Sequence, residues 1–336
     1  MNAGYNDVMS AAFLEVVEER ARTADGWQLH LRRTVCPGRL DAEQPPLLIV
    51  PGYGMNSFIF SFHPRGTSME RTLAEAGFEV WSMNLRGQGD SRPGPDAPRD
   101  PSLLHYATVD VPTAVDHVLA HTRGATANGI TLVGCSLGGS VVYSDLALRA
   151  NSHRAGRIVA MGAPLRWTRI HPLMRALFSS PRLASAVRLS RTRDMVRGMM
   201  PLFLRMPALL SIYMNPATID TGQMREMTRT VEDPHPRINR SIAFWMRHRD
   251  LELDGVNITH AMADQDLPLL VVLANRDGIV PEQTALSAVD AWGGRDVEVL
   301  RVGDRKNWYA HANMFIDDDA PRRVFHPMIR WLRGQG

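Results

Sequence analysis

Ten residues, 130–139, constrain the fold of this chain more than any other stretch. They read ITLVGCSLGG, an apolar run that leads directly into a G-x-S-x-G sequence at residues 134–138. The serine of such a sequence sits on a strained turn between a strand and a helix, with its hydroxyl held at the carboxyl edge of a sheet. Residues 140–149 continue with apolar side chains at helical spacing. The stretch predicts a strand, a tight turn and a helix, with Ser136 as a candidate nucleophile and an ordinary turn serine as the alternative.

Strand-like and helix-like patterns alternate along most of the chain. Residues 13–21 and 27–34 alternate apolar and polar side chains around the turn sequence at 23–26, which predicts an antiparallel hairpin. Apolar runs typical of buried parallel strands follow at 47–50, 78–82, 130–135, 157–161, 269–273 and 297–302. Helical patterns lie between or after them at 68–76, 108–122 and 320–332. The sequence therefore predicts an α/β fold with a doubly wound, mostly parallel sheet.

One region breaks this alternation. Between Met161 and Leu267 there is no convincing strand, and prolines repeatedly interrupt a sequence rich in methionine, leucine and arginine. A chain of 336 residues also exceeds the usual size of one compact core, so an insertion or a second domain is expected. We predict a core domain formed by residues 1–162 and 263–336, with an inserted helical lid, or cap, at residues 163–262.

A serine hydroxyl needs a base within hydrogen-bond reach and a third group to orient that base. Asp277 follows the apolar run at 269–273, at the sheet edge expected for Ser136, and a turn aspartate is the alternative interpretation. His311 lies in the loop after the last predicted strand, late in the chain. We predict Asp277 and His311 as the partners of Ser136; the weaker candidates for the base are His63, His171 and His260.

The negative oxygen formed during acyl transfer needs backbone N–H donors that are fixed before the reaction, each worth roughly 3 kcal/mol of barrier. One donor is expected from Leu137, directly after the nucleophile. The second is expected from the glycine-containing loop at residues 51–57, after the strand at 47–50. Tyr53 is the predicted donor, Gly54 is close behind it, and a plain glycine-rich turn is the alternative.

Composition excludes several other classes of function. The chain has 38 basic and 35 acidic residues, and so small an excess argues against a nucleic-acid partner. Two cysteines, Cys36 and Cys135, cannot form a disulfide framework, and Cys135 fits a small buried residue better than a redox group. The sequence shows neither a secretory signal pattern nor a run of eighteen apolar residues. We expect a cytoplasmic protein with no transmembrane segment.

Taken together, these residues resemble the α/β-hydrolase superfamily over nearly the whole chain outside the lid. The resemblance rests on Pro-Gly-Tyr-Gly at 51–54, the segment at 77–91, the G-x-S-x-G sequence, the Asp277 loop and His311, in the family's order of Ser, Asp and His. The segments at 77–81 and 84–87 look most like acid-lipase-type members, with a weaker likeness to polyester synthases, whose nucleophile is cysteine. The chain departs from the dehalogenase and epoxide hydrolase branches, which would carry aspartate at position 136, and from the family's common His-Gly, which is Pro51-Gly52 here.

The lid composition suggests an apolar substrate. Flexible thioethers adapt to irregular apolar ligands, although the same side chains could simply form the core of the lid. The residues concerned are Met195, Met199, Met200, Met206, Met214, Leu202, Leu204, Leu209, Leu210 and Phe203. We predict a serine hydrolase for small-molecule carboxylic esters that requires neither metal nor cofactor. An acyltransferase or thioesterase with the same triad and a non-catalytic binding protein are the alternatives, and the sequence leaves the oligomeric state open.

Overall fold

A computed structural model describes residues 13–186, 190–206 and 210–335. The strands are β1 (Glu15–Arg22), β2 (Trp27–Val35), β3 (Leu47–Val50), β4 (Val80–Met83), β5 (Arg92–Pro93), β6 (Ile130–Cys135), β7 (Ala155–Met161), β8 (Glu252–Leu253), β9 (Val256–Asn257), β10 (Leu269–Ala274) and β11 (Val297–Val302). The main sheet is mixed, with the strand order β1-β2-β4-β3-β6-β7-β10-β11, and the short β5 pairs with β2. All pairings among β4, β3, β6, β7, β10 and β11 are parallel, so the predicted α/β fold with a mostly parallel sheet is confirmed.

The central strands are buried on both faces. In β3, Leu48 and Val50 belong to one hydrophobic cluster, whereas Leu47 and Ile49 belong to a second cluster on the opposite face. This follows from the two-residue period of a strand, which sends alternate side chains to opposite faces. A strand that is apolar at every position therefore requires helices on both sides of the sheet, and the structure provides them.

The two strands at the start of the described chain form the expected hairpin. β1 and β2 pair antiparallel from Glu15–Val35 to Arg22–Gln28. Thr23 closes the turn, since its N–H donates to the carbonyl of Trp27 and its carbonyl accepts from Gly26 N–H. β1 lies at one edge of the main sheet and β11 at the other.

Helices surround the sheet and make up most of the regular structure between β7 and β10. They are α1 (Phe58–Ser61), α2 (Met69–Glu75), α3 (Leu103–His105), α4 (Val111–His121), α5 (Leu137–Leu148), α6 (Pro172–Leu177), α7 (Pro181–Ala186), α8 (Thr192–Leu204), α9 (Met224–Met227), α10 (Pro236–His248), α11 (Ile258–Ala261), α12 (Glu282–Ala285), α13 (Ser287–Ala291), α14 (Asn313–Ile316) and α15 (His326–Leu332). None of the helices in the described residues is long and apolar enough to cross a membrane.

The segment between β7 and β10 is mainly helical, as expected, and contains α6 to α11. It also contains the short antiparallel hairpin β8-β9, which the sequence did not indicate because each strand has only two residues. β7 and β10 are neighbours in the sheet, so this segment leaves and re-enters the sheet at adjacent strands. The division into a core domain and a lid at 163–262 stays a prediction. Residues 1–12 of the predicted core and Leu209 of the predicted lid lie outside the described residues.

Candidate active site

Ser136 lies at the junction of β6 and α5. Its φ of 54° and ψ of −126° are unusual for a residue with a side chain, and it directly precedes the first residue of α5. The tight turn depends on Gly138, because a Cβ there would collide with the carbonyl oxygen of Val50 at the end of β3. The predicted strand, strained turn and helix are therefore present, with Ser136 at the carboxyl end of a central parallel strand.

Asp277 and His311 are brought together from two neighbouring strand ends. Asp277 Oδ2 accepts a hydrogen bond from His311 Nδ1 at 2.6 Å, and both side chains are almost completely buried. Asp277 Oδ1 accepts from the backbone N–H groups of Ile279 and Val280, each at 2.8 Å. The carboxylate thus closes its own turn with one oxygen and orients the imidazole with the other. With Nδ1 engaged in this way, Nε2 is the ring nitrogen left for another partner.

Ser136 and His311 line the same cavity. No hydrogen bond joins Ser136 Oγ to His311 within the part of the chain that the structure describes, so the two side chains share the cavity without a direct bond. Catalytic hydrogen bonds commonly tighten only when substrate binds.

A buried hydrogen-bond network that the sequence did not indicate holds the His311 loop. Asn313 Oδ1 accepts from the N–H groups of Asn215 at 2.7 Å and Ala310 at 3.2 Å, and its amide donates to Asp317 at 2.8 Å. Asn313 and Asp317 are almost completely buried. Asn215 belongs to the segment between β7 and β10, called the inserted segment below, and is 98 positions away from Asn313. The network therefore ties the inserted segment to the loop that carries the imidazole.

The cavity beside Ser136 has a volume of about 530 Å³ and is largely apolar. The inserted segment supplies much of its wall, with Met174, Leu177, Phe178, Val196, Met200, Phe203, Leu210, Tyr213, Met214 and Met227. Of the apolar lid residues singled out in the sequence, Met200, Phe203, Leu210 and Met214 line the cavity, whereas Met195, Met199, Leu202 and Met206 are exposed. Leu204 does neither and packs against the core. The described members of the predicted apolar set are therefore a group that faces the cavity, a group that faces solvent, and one core residue.

The structure places the two predicted oxyanion donors at the start of α5 and in the loop after β3. Leu137 is the first residue of α5, where a backbone N–H has no acceptor within its own helix. Tyr53 lies in the loop after β3 and lines the cavity together with Gly54. Within the described residues, Tyr53 N–H donates to no protein acceptor. The Tyr53 hydroxyl donates to Asn239 Oδ1 of α10 at 2.6 Å, which joins this loop to the inserted segment.

The other candidates from the sequence lie elsewhere. His63 is buried, and its Nε2 lies 2.9 Å from the carbonyl oxygen of Asp317. His171 caps the start of α6, and His260 is exposed. None of these three histidines lines the cavity that contains Ser136. Cys135 is completely buried, and burial raises the pKa of its thiol well above the ordinary value. Cys135 is therefore protonated at neutral pH and unsuited to act as a nucleophile.

One cluster among the described residues has donor atoms close enough to bind a metal ion. It comprises Glu19 of β1 with His117 and His121 of α4, and Glu19 Oε2 lies 2.7 Å from His117 Nε2. None of these residues lines the cavity that contains Ser136. The cluster is thus separate from the candidate active site.

With this geometry established, comparison with known proteins identifies the class. The α/β hydrolase fold family matches residues 45–305, so the chain belongs to that family. The expected resemblance is thereby confirmed. No curated protein matches the chain.

Solved structures share the fold at low sequence identity. An esterase, RhEst1 from Rhodococcus sp. ECU1013, has a TM-score of 0.63 and 19% identity, covering 95% of this chain and 99% of its own. A hydrolase from Pseudomonas aeruginosa PA01 has a TM-score of 0.63 and 18% identity, with coverage of 94% and 98%. A thermophilic esterase from Thermogutta terrifontis has a TM-score of 0.61 and 17% identity, with coverage of 95% and 99%. These likenesses establish the fold.

Proposed function

We propose that this chain is a serine hydrolase that cleaves carboxylic esters with an apolar acyl or alcohol part. The single observation that carries the proposal is the hydrogen-bonded pair of His311 and Asp277 at the cavity that Ser136 lines. The esterase structures with the same fold are consistent with this reaction. We further propose a cytoplasmic location, which agrees with the two free, buried cysteines.

The proposed acylation step begins when Ser136 Oγ attacks the ester carbonyl. His311 Nε2 accepts the hydroxyl proton, and Asp277 stabilises the imidazolium that forms. The carbonyl oxygen becomes negative and receives hydrogen bonds from the N–H groups of Leu137 and Tyr53. When the tetrahedral intermediate collapses, the bond to the alcohol oxygen breaks, the imidazolium returns the proton to that oxygen, and the acyl group remains on Ser136.

Deacylation repeats these steps with water. His311 Nε2 removes a proton from water, the hydroxide attacks the acyl carbonyl, and Ser136 leaves as the proton returns to its Oγ. Every proton in this cycle moves through one imidazole nitrogen. The mechanism therefore requires neither a metal ion nor a cofactor.

Cavity size limits the acyl chain that the proposed site accepts. A methylene group is similar in size to a water molecule, whose share of liquid volume is about 30 Å³. The cavity of about 530 Å³ therefore has room for roughly 17 such groups. Each buried methylene contributes about 0.8 kcal/mol, so kcat/KM should rise by up to about fourfold per added methylene while the chain still fits.

The test combines active-site labelling with a substrate series. A fluorophosphonate probe should label the wild-type protein but not Ser136→Ala, and nitrophenyl acetate, butyrate and octanoate should be hydrolysed with increasing kcat/KM. If the probe still labels Ser136→Ala, Ser136 is not the nucleophile. A protein that neither reacts with the probe nor hydrolyses any of these esters would be a binding protein instead.

Two further controls sharpen this test. Met200, a buried residue of the cavity wall, can be replaced by tryptophan, which should reduce octanoate hydrolysis far more than acetate hydrolysis. Adding a competing alcohol distinguishes hydrolysis from transfer, because an acyltransferase forms the new ester in preference to the free acid. If the wild-type protein transfers the acyl group to the alcohol in preference to water, the protein is an acyltransferase and the hydrolase proposal is wrong.

A further inference from the structure

The outer surface of the inserted segment exposes an unusual number of apolar side chains. Among the described residues, α8 exposes Met195, Met199 and Leu202, and Met206 follows directly after the helix. These four positions are separated by four, three and four residues, so they share one face of the helix. Leu173 and Leu177 of α6 and Leu183 of α7 are also exposed. We call these seven exposed apolar positions together the outer lid face.

The apolar stripe on α8 is not needed for packing. The same helix buries a different set of side chains, since Val196, Met200 and Phe203 line the cavity beside Ser136. A helix that is apolar on its inner and outer sides normally contacts a second apolar phase on the outer side. The outer lid face therefore indicates a docking surface.

Charge identifies the kind of partner. Residues 163–206 contain nine arginines and a single acidic residue, Asp194. The side chains of four exposed arginines form no ion pair within the described residues: Arg169, Arg175, Arg182 and Arg205. Two copies of such a surface would repel each other, whereas a negatively charged surface would attract it. An apolar helical face accompanied by arginine is the pattern of a helix that lies in the headgroup region of an anionic membrane.

We propose that the outer lid face docks on an anionic lipid surface. The exposed methionines and leucines enter the boundary between headgroups and acyl chains, and the arginines contact lipid phosphates. Leu177, which is 60% exposed, also lines the cavity that contains Ser136, so the docking face adjoins the cavity. Docking would place an apolar substrate held in the lipid next to the cavity. Binding itself does not depend on ester hydrolysis.

The test measures binding with the Ser136→Ala protein, which separates docking from catalysis. The protein should float with vesicles that contain phosphatidylglycerol and phosphatidylcholine, bind phosphatidylcholine alone weakly, and dissociate as salt is raised. The combined variant Met199→Glu and Leu202→Glu should reduce the bound fraction at least tenfold. In the wild-type background the same pair should leave hydrolysis of soluble butyrate unchanged, because neither residue lines the cavity.

Phe244→Glu supplies the matched control. Phe244 is 54% exposed and Leu202 is 52% exposed, but Phe244 lies on α10 and lines a separate surface pocket. This control should bind vesicles like the parent. The proposal is overturned if the parent does not bind anionic vesicles, if Phe244→Glu weakens binding as much as the α8 variants do, or if the outer lid face instead holds two copies together in sedimentation experiments.

Discussion

Replacing Asp277 by asparagine gives the sharpest test of the proposed proton relay, because the two carboxylate oxygens make different contacts. Oδ1 accepts from the backbone N–H groups of Ile279 and Val280, and Oδ2 accepts from His311 Nδ1. An asparagine side chain has one oxygen and one NH2 group. Its oxygen is required by the two backbone donors, so its NH2 group faces His311 Nδ1.

This orientation forces the imidazole into the wrong tautomer. Nδ1 must then accept a hydrogen bond, so the ring proton moves to Nε2, and Nε2 can no longer accept the proton of Ser136. The equivalent change in a serine protease lowers kcat about 10⁴-fold, which corresponds to about 5.4 kcal/mol of barrier. We expect Asp277→Asn to lower kcat for nitrophenyl butyrate by about this factor, with KM little changed.

Urea unfolding of two Asp277 variants shows whether the loss of activity comes from the wrong imidazole tautomer or from a destabilised fold. Asp277→Asn keeps both backbone hydrogen bonds and should unfold in urea close to the wild type. Asp277→Ala leaves the N–H groups of Ile279 and Val280 without their acceptor, and the loss at the buried Val280 N–H costs about 1–3 kcal/mol. Both variants should have strongly reduced activity, but only the alanine variant should be clearly destabilised.

A second buried aspartate provides the control. Asp145 of α5 pairs at 2.6 Å with Arg149, which directly follows the helix, and Asp145 does not line the cavity. Asp145→Asn should retain activity. If Asp277→Asn keeps its activity within tenfold of the wild type, the reasoning is refuted, because the imidazole would not depend on that carboxylate for its tautomer.

Three further predictions concern the groups around the serine and the core. Gly52→Ala should lower the rate of fluorophosphonate labelling at least tenfold, because its Cβ would lie 2.7 Å from Ser136 Cβ; an unchanged rate contradicts this. Arg86→Met should destabilise the protein by about 3–5 kcal/mol in urea unfolding, because Asp110, its completely buried partner at 2.7 Å, loses its counter-charge. Asn313→Ala should lower kcat more than KM and destabilise the fold by about 1–3 kcal/mol, and an unaffected kcat would exclude a positioning role.

The sheet could be predicted because its central strands are apolar at every position. The runs at 47–50, 130–135 and 269–273 have strong local patterns, and the structure confirms each of them as a buried strand. β5, β8 and β9 have two residues each, too few for a periodic pattern. They depend on pairing with a partner strand, which the local sequence does not show.

Two predicted helices begin as wider turns, and proline explains both. The helix predicted at 108–122 is a π-helix at Tyr106–Asp110 followed by α4, and the one predicted at 320–332 is a π-helix at Pro321–Phe325 followed by α15. In each case a proline, Pro112 or Pro327, stands two residues after the π segment. Proline has no N–H for the carbonyl four residues earlier, and the preceding turn widens around the missing bond.

The candidate site was only partly predictable for a similar reason. Ser136, Asp277 and His311 each follow a recognisable strand, so the carboxyl edge of the sheet locates them. Asn215, Asn313 and Asp317 follow no such rule, because their hydrogen bonds join the inserted segment to a distant loop. Likewise, the sequence identified the apolar residues of α8 but could not show which of them face the cavity and which face solvent.

Asp277 shows how two interpretations of one residue can both hold. The sequence left open a turn aspartate or a partner for histidine, and the structure shows a carboxylate that makes both sets of contacts. The turn contacts fix the side chain before any substrate binds, so the imidazole is oriented without further ordering of the loop. A side chain held by its own turn loses little freedom when the reaction begins, which is the condition that an orienting group must satisfy. The structural role of Asp277 is therefore what would make its proposed catalytic role efficient.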